Sequence, residues 1–288
     1  LRDLIVLMRP SQWAKNAFVL APLIFSGRFF DEHSLLRAVS AVAVFCAAAS
    51  AAYIANDIID RDRDRNHPLK RDRPLAAGRV ESRSAAALAV VLAVLALAGA
   101  FSLGFRFAIV LACFFALQVE YSLILKRIVV VDVFAIATGF VLRAAAGVVA
   151  VGASMSPWLL GCTFLLATFL GLAKRRHEVV LLSATAGDHR EVLSAYSERG
   201  LDHLLRAAAA ATVVIYILYA RSPTVAQKLG TEDLWVTIPF VVFGVLRYLF
   251  LVYGRNDGGN PTGILLGDVP LQAGIVSWLL AVFFLLYR

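Results

Sequence analysis

Nine long apolar stretches, separated by short polar breaks, constrain this chain more than anything else in it. They cover residues 17–30, 35–59, 85–103, 105–125, 129–151, 158–173, 204–220, 234–253 and 269–287, the first and sixth being short. A helix crosses the hydrocarbon core of a bilayer with about 20 mostly apolar residues. One or two such runs could be buried helices of a water-soluble protein, but nine in 288 residues leave no polar surface to cover them. The runs are rich in Ala and Leu and lack the alternation of a membrane barrel. The expected fold is therefore all-α and integral to the membrane: a nine-transmembrane-helix bundle forming a single domain over residues 1–288.

Charge gives this bundle an orientation. Only 17% of residues are charged, yet Lys and Arg outnumber Asp and Glu by 28 to 20. Cytoplasmic loops of membrane proteins carry the excess of Lys and Arg. Placing the N-terminus and every even-to-odd connection in the cytoplasm collects 20 of the 28 basic residues there. Arg28, Arg37, Arg106, Arg221, Lys228 and Arg288 fall outside, and Arg143 and Arg247 lie within spans. The N-terminus is expected in the cytoplasm and the C-terminus outside. With a mean hydropathy of +0.77, the net charge of +8 points to anionic lipid or anionic substrates and not to nucleic acid. Arg2, Arg9 and Lys15 before the first run superficially resemble a secretory signal, but without a small-residue cleavage site the run reads as a retained helix. A start at Leu1 in place of Met is what a trimmed or processed chain would show.

Cys46, Cys113 and Cys162 all fall in apolar runs and have the spacing of neither a metal site nor a disulfide framework. The five His residues are scattered, so zinc chemistry is not expected. The informative segment is NDIIDRDRDRNHPLKRDRPLAAGRVESR, from Asn56 to Arg83. Asn56, Asp57, Asp60 and Asp64 are spaced by one, three and four, which puts them on one face if a helix runs past the membrane. Three converging carboxylates repel unless a cation joins them, and a few hard oxygen ligands suit Mg²⁺ bound through a phosphate or pyrophosphate. Asp62 alternates with arginines elsewhere on the helix and reads as solvated ion pairs. Beyond a helix break at His67 and Pro68, Lys70 and Arg73 are placed to hold phosphate oxygens, while Arg71 could simply meet headgroups.

Other basic residues are more ambiguous. Lys126 and Arg127 end a span, where snorkelling requires basic residues anyway. Arg143 lies eleven residues past Asp132 and deep in a span, where a charge is expensive. It either binds an anionic substrate or pairs with Asp132. Lys174, Arg175 and Arg176 leave the sixth run together, as any cytoplasmic loop would allow.

The motif NDxxDxxxD at Asn56, Asp57, Asp60 and Asp64 resembles the hallmark of the UbiA superfamily of intramembrane prenyltransferases, and the likeness extends over all nine runs. Aromatic prenyltransferases of that superfamily carry a second aspartate-rich motif where this chain has KRRHE, from Lys174 to Glu178. RPSQWAKN from Arg9, HPLKRDRP from His67, YSLILK from Tyr121, KRR from Lys174 and the segment from Arg247 resemble the decaprenyl-phosphate phosphoribosyltransferase branch instead. The resemblance implies a helical bundle around a central cavity, open to lipid. Loops near 60–84, 126–128, 174–203 and 254–268 would cap it, the last being Gly-rich.

The implied reaction moves 5-phosphoribosyl from 5-phosphoribosyl 1-diphosphate to a polyprenyl phosphate in a bacterial plasma membrane, supplying a cell-wall arabinan precursor. Asn56, Asp57, Asp60 and Asp64 would hold Mg²⁺, the three aspartates being catalytic. Lys70, Arg73, Tyr121, Lys126, Arg143, Lys174 and Arg175 would bind donor phosphates, and Lys15 and Asn16 the acceptor phosphate. Lys15 could equally anchor a headgroup. The alternatives are prenyl transfer to an aromatic acceptor and, from another class, a transporter or channel. Oligomeric state, including a homo-oligomer, is left open.

Overall fold

The computed structural model describes residues 2–66, 70–183, 197–255 and 258–288. Its helices are α1 (Arg2–Met8), α2 (Ala21–Phe25), α3 (Glu32–Ile59), α4 (Arg61–Arg65), α5 (Ser82–Leu103), α6 (Phe105–Leu123), α7 (Val131–Val151), α8 (Pro157–Ser183), α9 (Glu198–Ala220), α10 (Pro223–Leu229), α11 (Ile238–Gly254), α12 (Pro261–Gly267) and α13 (Val269–Tyr287). Three 3₁₀ helices interrupt the series, at Pro10–Leu20, Leu125–Arg127 and Asp233–Thr237.

Eight helices among the described residues are long and apolar enough to cross a membrane. The protein is thus all-α and integral to the membrane, with eight such helices in place of the nine expected. The difference lies in the first apolar stretch, which forms a 3₁₀ helix, Pro10–Leu20, followed by the short α2. Pro22 interrupts helical hydrogen bonding there, and Gly27 at φ 70° ends the segment.

The described residues form two compact units. The first comprises residues 1–23, 31–123 and 142–153; the second comprises 24–30, 124–141 and 154–288. In the first unit, α3 and α5 pack through small residues, Ala41 and Ala48 on one helix and Ala96 and Ala100 on the other. A Cβ on Gly99 would lie 2.7 Å from the Val44 side chain, so these helices approach as closely as small residues allow. Arg37, on α3, donates from Nη2 to the Leu103 carbonyl at 2.5 Å and from Nε to the Ala150 carbonyl at 2.6 Å. It thereby satisfies orphan carbonyls at the C-terminal ends of α5 and α7, where a cation also complements the helix dipoles.

In the second unit, α8 packs on α9 and α11 on α13, with Phe169, Leu172, Leu205, Tyr248 and Leu251 in the core. Asp268 caps α13 by accepting the Leu271 N–H at 2.9 Å. Val90, Val94, Leu95, Val276, Leu280 and Phe284 are exposed apolar side chains on long helices, as a lipid-facing surface requires.

Candidate active site

The acidic motif forms at the end of α3. The helix is interrupted at Asp60, where φ is −88° and ψ is 5°. Two backbone bonds, Asp60 N to Asn56 O at 2.9 Å and Asp64 N to Asp60 O at 2.8 Å, nevertheless carry the four-residue spacing through the break. Asp57 and Asp64, two helical turns apart, therefore come to the same side. They are buried at 3% and 2% exposure.

Arg73 joins them. Its Nη1 donates to Asp57 Oδ1 at 3.0 Å and to Asp64 Oδ2 at 2.6 Å. Lys70 Nζ lies 3.7 Å from Asp64 Oδ1. Asp60 is different: Oδ2 accepts a hydrogen bond from Asn56 Nδ2 at 3.1 Å. The expected convergence of three carboxylates is corrected accordingly, to an Asp57 and Asp64 pair with Asp60 held by Asn56. Among the described residues no three His, Cys, Asp or Glu side chains are grouped closely enough to hold a metal by themselves. The donor set still fits Mg²⁺ as that ion is usually held, by one or two carboxylates with phosphate oxygens and water completing the shell. His67 and Pro68, expected to break the helix, lie outside the described residues. Asp62 is exposed and 3.8 Å from Arg65, the solvated pair expected of it, and Arg71 is exposed.

One member of this site was not singled out from the sequence. Arg9 Nη2 donates to Asp57 Oδ1 at 2.5 Å, and its guanidinium lies 5.0 Å from the centre of the Tyr53 ring. Arg9 has a left-handed backbone, φ 54° and ψ 61°, immediately before Pro10. Such a conformation costs a non-glycine residue about 1–3 kcal/mol and persists only where the surroundings over-determine it. The available signal was the Arg-Pro dipeptide opening a polar run; positive-inside counting absorbed it.

A second group lies along Pro10–Leu20. Residues three apart on a 3₁₀ helix eclipse one another, so Trp13, Asn16 and Val19 form a line. Three 3₁₀ residues and four α-helical residues both rise about 6 Å, so this line can keep register with every fourth residue of an antiparallel α-helix. That match is realised against α3: Trp13 Nε1 donates to Ser50 Oγ at 3.0 Å and Asn16 Nδ2 to Cys46 Sγ at 3.2 Å. On α7, Gly147 is required, because a Cβ there would lie 2.1 Å from the Val19 carbonyl oxygen. One turn before Gly147, Arg143 Nε donates to Asn16 Oδ1 at 2.8 Å, with its guanidinium 4.8 Å from the Phe114 ring centre.

Lys15 thus stands beside a fully buried Asn16 and a buried Arg143. Its ammonium makes no hydrogen bond or ion pair with a described residue. Burial, then the charges of Arg143 and Arg9, lower it from 10.5 to about 8. Lys15 and Arg143 were assigned from sequence to different substrates, and the fold brings them together around Asn16. Tyr121 is half-buried on the last turn of α6.

In the second unit, Lys126 is buried in the Leu125–Arg127 turn. Val130 follows with φ 68°, an uncommon backbone for a β-branched residue. Asp132, completely buried, pairs with Arg175 Nε at 2.5 Å, and Arg175 also pairs with Glu178. Pairing of Asp132 with Arg143, one of two readings of the sequence, gives way to this ion pair. Arg176 pairs with Asp202 at 2.6 Å and stacks over Tyr253 at 4.5 Å. Lys174 is 42% exposed and 3.9 Å from Glu178. Much of the KRR run thus serves ion pairs within the protein. The Gly-rich connection meets α8, where Gly258 N donates to His177 Nδ1 at 3.3 Å and a Cβ on Gly258 would lie 2.8 Å from the Ala173 carbonyl oxygen. Arg247 holds Asp268 with two bonds, at 3.0 and 2.8 Å, which keeps that carboxyl below its usual range. Parts of three of the four expected caps, 67–69, 184–196 and 256–257, lie outside the described residues.

An all-α membrane protein with a buried carboxylate pair at a helix end, ringed by phosphate-competent cations, defines a class of intramembrane enzyme fold. The chain belongs to the UbiA prenyltransferase family, whose model matches residues 17–262. It is 34% identical to a decaprenyl-phosphate phosphoribosyltransferase of Corynebacterium glutamicum, over 97% of this chain and 85% of the relative. Identity to the decaprenyl-phosphate phosphoribosyltransferase of Mycolicibacterium smegmatis is 37%, over 96% of this chain and 90% of the relative. Among solved structures, a UbiA homolog from Archaeoglobus fulgidus bound to GPP and Mg²⁺ superposes with a TM-score of 0.71 at 22% identity, covering 98% of this chain and 99% of that one.

Proposed function

We propose that this protein is a membrane-embedded transferase that moves 5-phosphoribosyl from 5-phosphoribosyl 1-diphosphate to a polyprenyl phosphate, releasing diphosphate. The relatives from Corynebacterium and Mycolicibacterium bear the name of that activity over nearly the whole length of the chain. The carrying observation is the pairing, within one unit, of a buried carboxylate site with a separate cationic site. Asp57 and Asp64 lie among Arg9, Lys70 and Arg73, whereas Lys15 and Arg143 gather on Asn16. A reaction joining two phosphorylated substrates needs both.

Asp57 and Asp64 are assigned to Mg²⁺ on the donor diphosphate, with Asp60 and Asn56 supporting that turn. When bound, Mg²⁺ neutralises charge building on the leaving diphosphate. The relative from Archaeoglobus, described as bound to GPP and Mg²⁺, supports a family use of that ion. Lys70 and Arg73 offer hydrogen bonds to the same diphosphate oxygens, which stabilises the departing group. Tyr121, in the same unit, is assigned to a remaining donor phosphate or hydroxyl group, and Lys126 and Lys174, in the other unit, are kept as phosphate-binding residues on the family likeness alone. Arg175, held by Asp132 and Glu178, acts by keeping α7 and α8 in place beside Lys174.

Lys15 and Arg143 receive the acceptor phosphate, and Asn16 orients Arg143. The sequence had suggested the donor for Arg143; its bond to Asn16 supports the acceptor. A lipid phosphate is already anionic near neutral pH, so it can attack the anomeric carbon without a general base. In-line attack inverts that carbon. We assign both units to one transmembrane domain, because the family match runs across both. Its site faces the cytoplasm of a bacterial plasma membrane, with the segment 17–30 as a ninth crossing.

Purified protein in detergent or nanodiscs, given labelled 5-phosphoribosyl 1-diphosphate, decaprenyl phosphate and Mg²⁺, should form a labelled lipid and free diphosphate. No labelled lipid, together with prenyl transfer to 4-hydroxybenzoate from a prenyl diphosphate, would replace this reading with the aromatic one.

A further inference from the structure

Resting on the metal assignment above but not on the identity of the sugar, we propose that Arg73, assisted by Arg9, excludes free divalent metal from the aspartate pair. The metal then enters only as its complex with a diphosphate. Arg73 Nη1 contacts one oxygen of Asp57 and one of Asp64, and Arg9 Nη2 contacts the same Asp57 oxygen. A metal bridging the two carboxylates would compete for these oxygens.

Charge balance points the same way. Asp57 and Asp64 already face Arg9, Lys70 and Arg73, two carboxylates against three cations. Both carboxylates of the pair are buried, so their surroundings screen poorly. Bare Mg²⁺ would add two uncompensated positive charges to a group in which cations already outnumber carboxylates. A diphosphate carrying the same ion arrives with its own negative charge, and that charge draws Arg73 from the carboxylates to the phosphate oxygens. Bidentate guanidinium contacts suit phosphate as well as carboxylate, so the exchange costs Arg73 little of its hydrogen bonding. Arg73 is thus a substrate-contacting residue whose two sets of partners order the binding steps, and the arrangement keeps the site from being filled by metal without substrate.

Binding of Mn²⁺ to the full-length protein, followed by its electron paramagnetic resonance signal, tests this without turnover. Mn²⁺ alone should bind weakly to wild type, and inorganic pyrophosphate should raise its retention about tenfold or more. Arg73→Gln should bind Mn²⁺ about tenfold more tightly without pyrophosphate, Arg9→Gln should shift the same way by less, and Arg73→Lys should restore the exclusion. Equal Mn²⁺ affinity in wild type and Arg73→Gln overturns the proposal, as does wild-type binding that ignores pyrophosphate. Loss of Mn²⁺ binding in every protein even with pyrophosphate overturns the metal assignment as well. Since neither probe contains ribose, failure of phosphoribosyl transfer in the separate lipid-product assay leaves these outcomes readable.

Discussion

Individual charges in this protein take their meaning from what they touch. Asp57 and Asp62 are five residues apart in one acidic run, yet one is buried between two guanidiniums and the other is in water. Lys15 is similar in kind: a basic residue at a membrane edge that stands near Arg143 without a hydrogen-bond or ion-pair partner among the described residues. Its lowered pKa gives a signed expectation. A lysine titrating near 8 is charged below that pH and neutral above it, so its proposed attraction for the acceptor phosphate falls as pH rises through about 8. The kcat/KM for polyprenyl phosphate, which reports the free enzyme, should therefore decline above that pH in wild type. In Lys15→Arg the decline should move upward, and in Lys15→Gln acceptor KM should rise about tenfold at neutral pH, from the loss of one charge-assisted bond. An unchanged alkaline limb in Lys15→Arg would remove Lys15 from acceptor binding.

At the scale of elements, the unusual piece is the 3₁₀ helix Pro10–Leu20. Runs longer than three or four residues are uncommon in that geometry, because its hydrogen bonds are poorer. Here bonds to Ser50 and Cys46 on one side and the close approach of Gly147 on the other hold it. Gly147→Ala should force the Val19 carbonyl away and with it Asn16, lowering stability by about 1–3 kcal/mol through overpacking. The expected signature is a lower Tm in detergent and a raised acceptor KM, with Mn²⁺ retention in the presence of pyrophosphate close to wild type. A change in Mn²⁺ retention as large as that in acceptor KM would mean that the two sites are not built separately. None of this could be read from the apolar pattern, which gave the stretch the right hydrophobicity but carried no signal of 3₁₀ geometry. The glycine requirement was equally silent, since Gly147 looks like any glycine in an Ala-rich helix until Val19 is placed against it.

For the whole molecule, the proposed topology has an odd number of crossings, with the first apolar stretch as the additional one beside the eight long helices. With the C-terminus outside, as that topology has it, a green fluorescent protein fused after Arg288 should be dark and alkaline phosphatase fused there should be active. Bright fluorescence at the C-terminus, with an N-terminal reporter also inside, would make the number of crossings even and take the first stretch out of the count. The basic loops on which this proposed topology rests also hold the cations proposed to bind phosphate, so net charge alone does not separate the two roles.

The sequence by itself determined the membrane class, the helical fold and the location of the acidic motif. Apolar run length and charge spacing are one-dimensional properties, and a bilayer and an α-helix read them directly. The tertiary structure decided which charges act as a group. It drew Asp57 and Asp64 onto Arg73 and turned Asp60 to Asn56. It added Arg9 from forty-eight residues away, brought Arg143 to Asn16, and committed Arg175 to Asp132. Those pairings depend on where remote segments cross and on which small residues let backbones approach, and no local spacing encodes either.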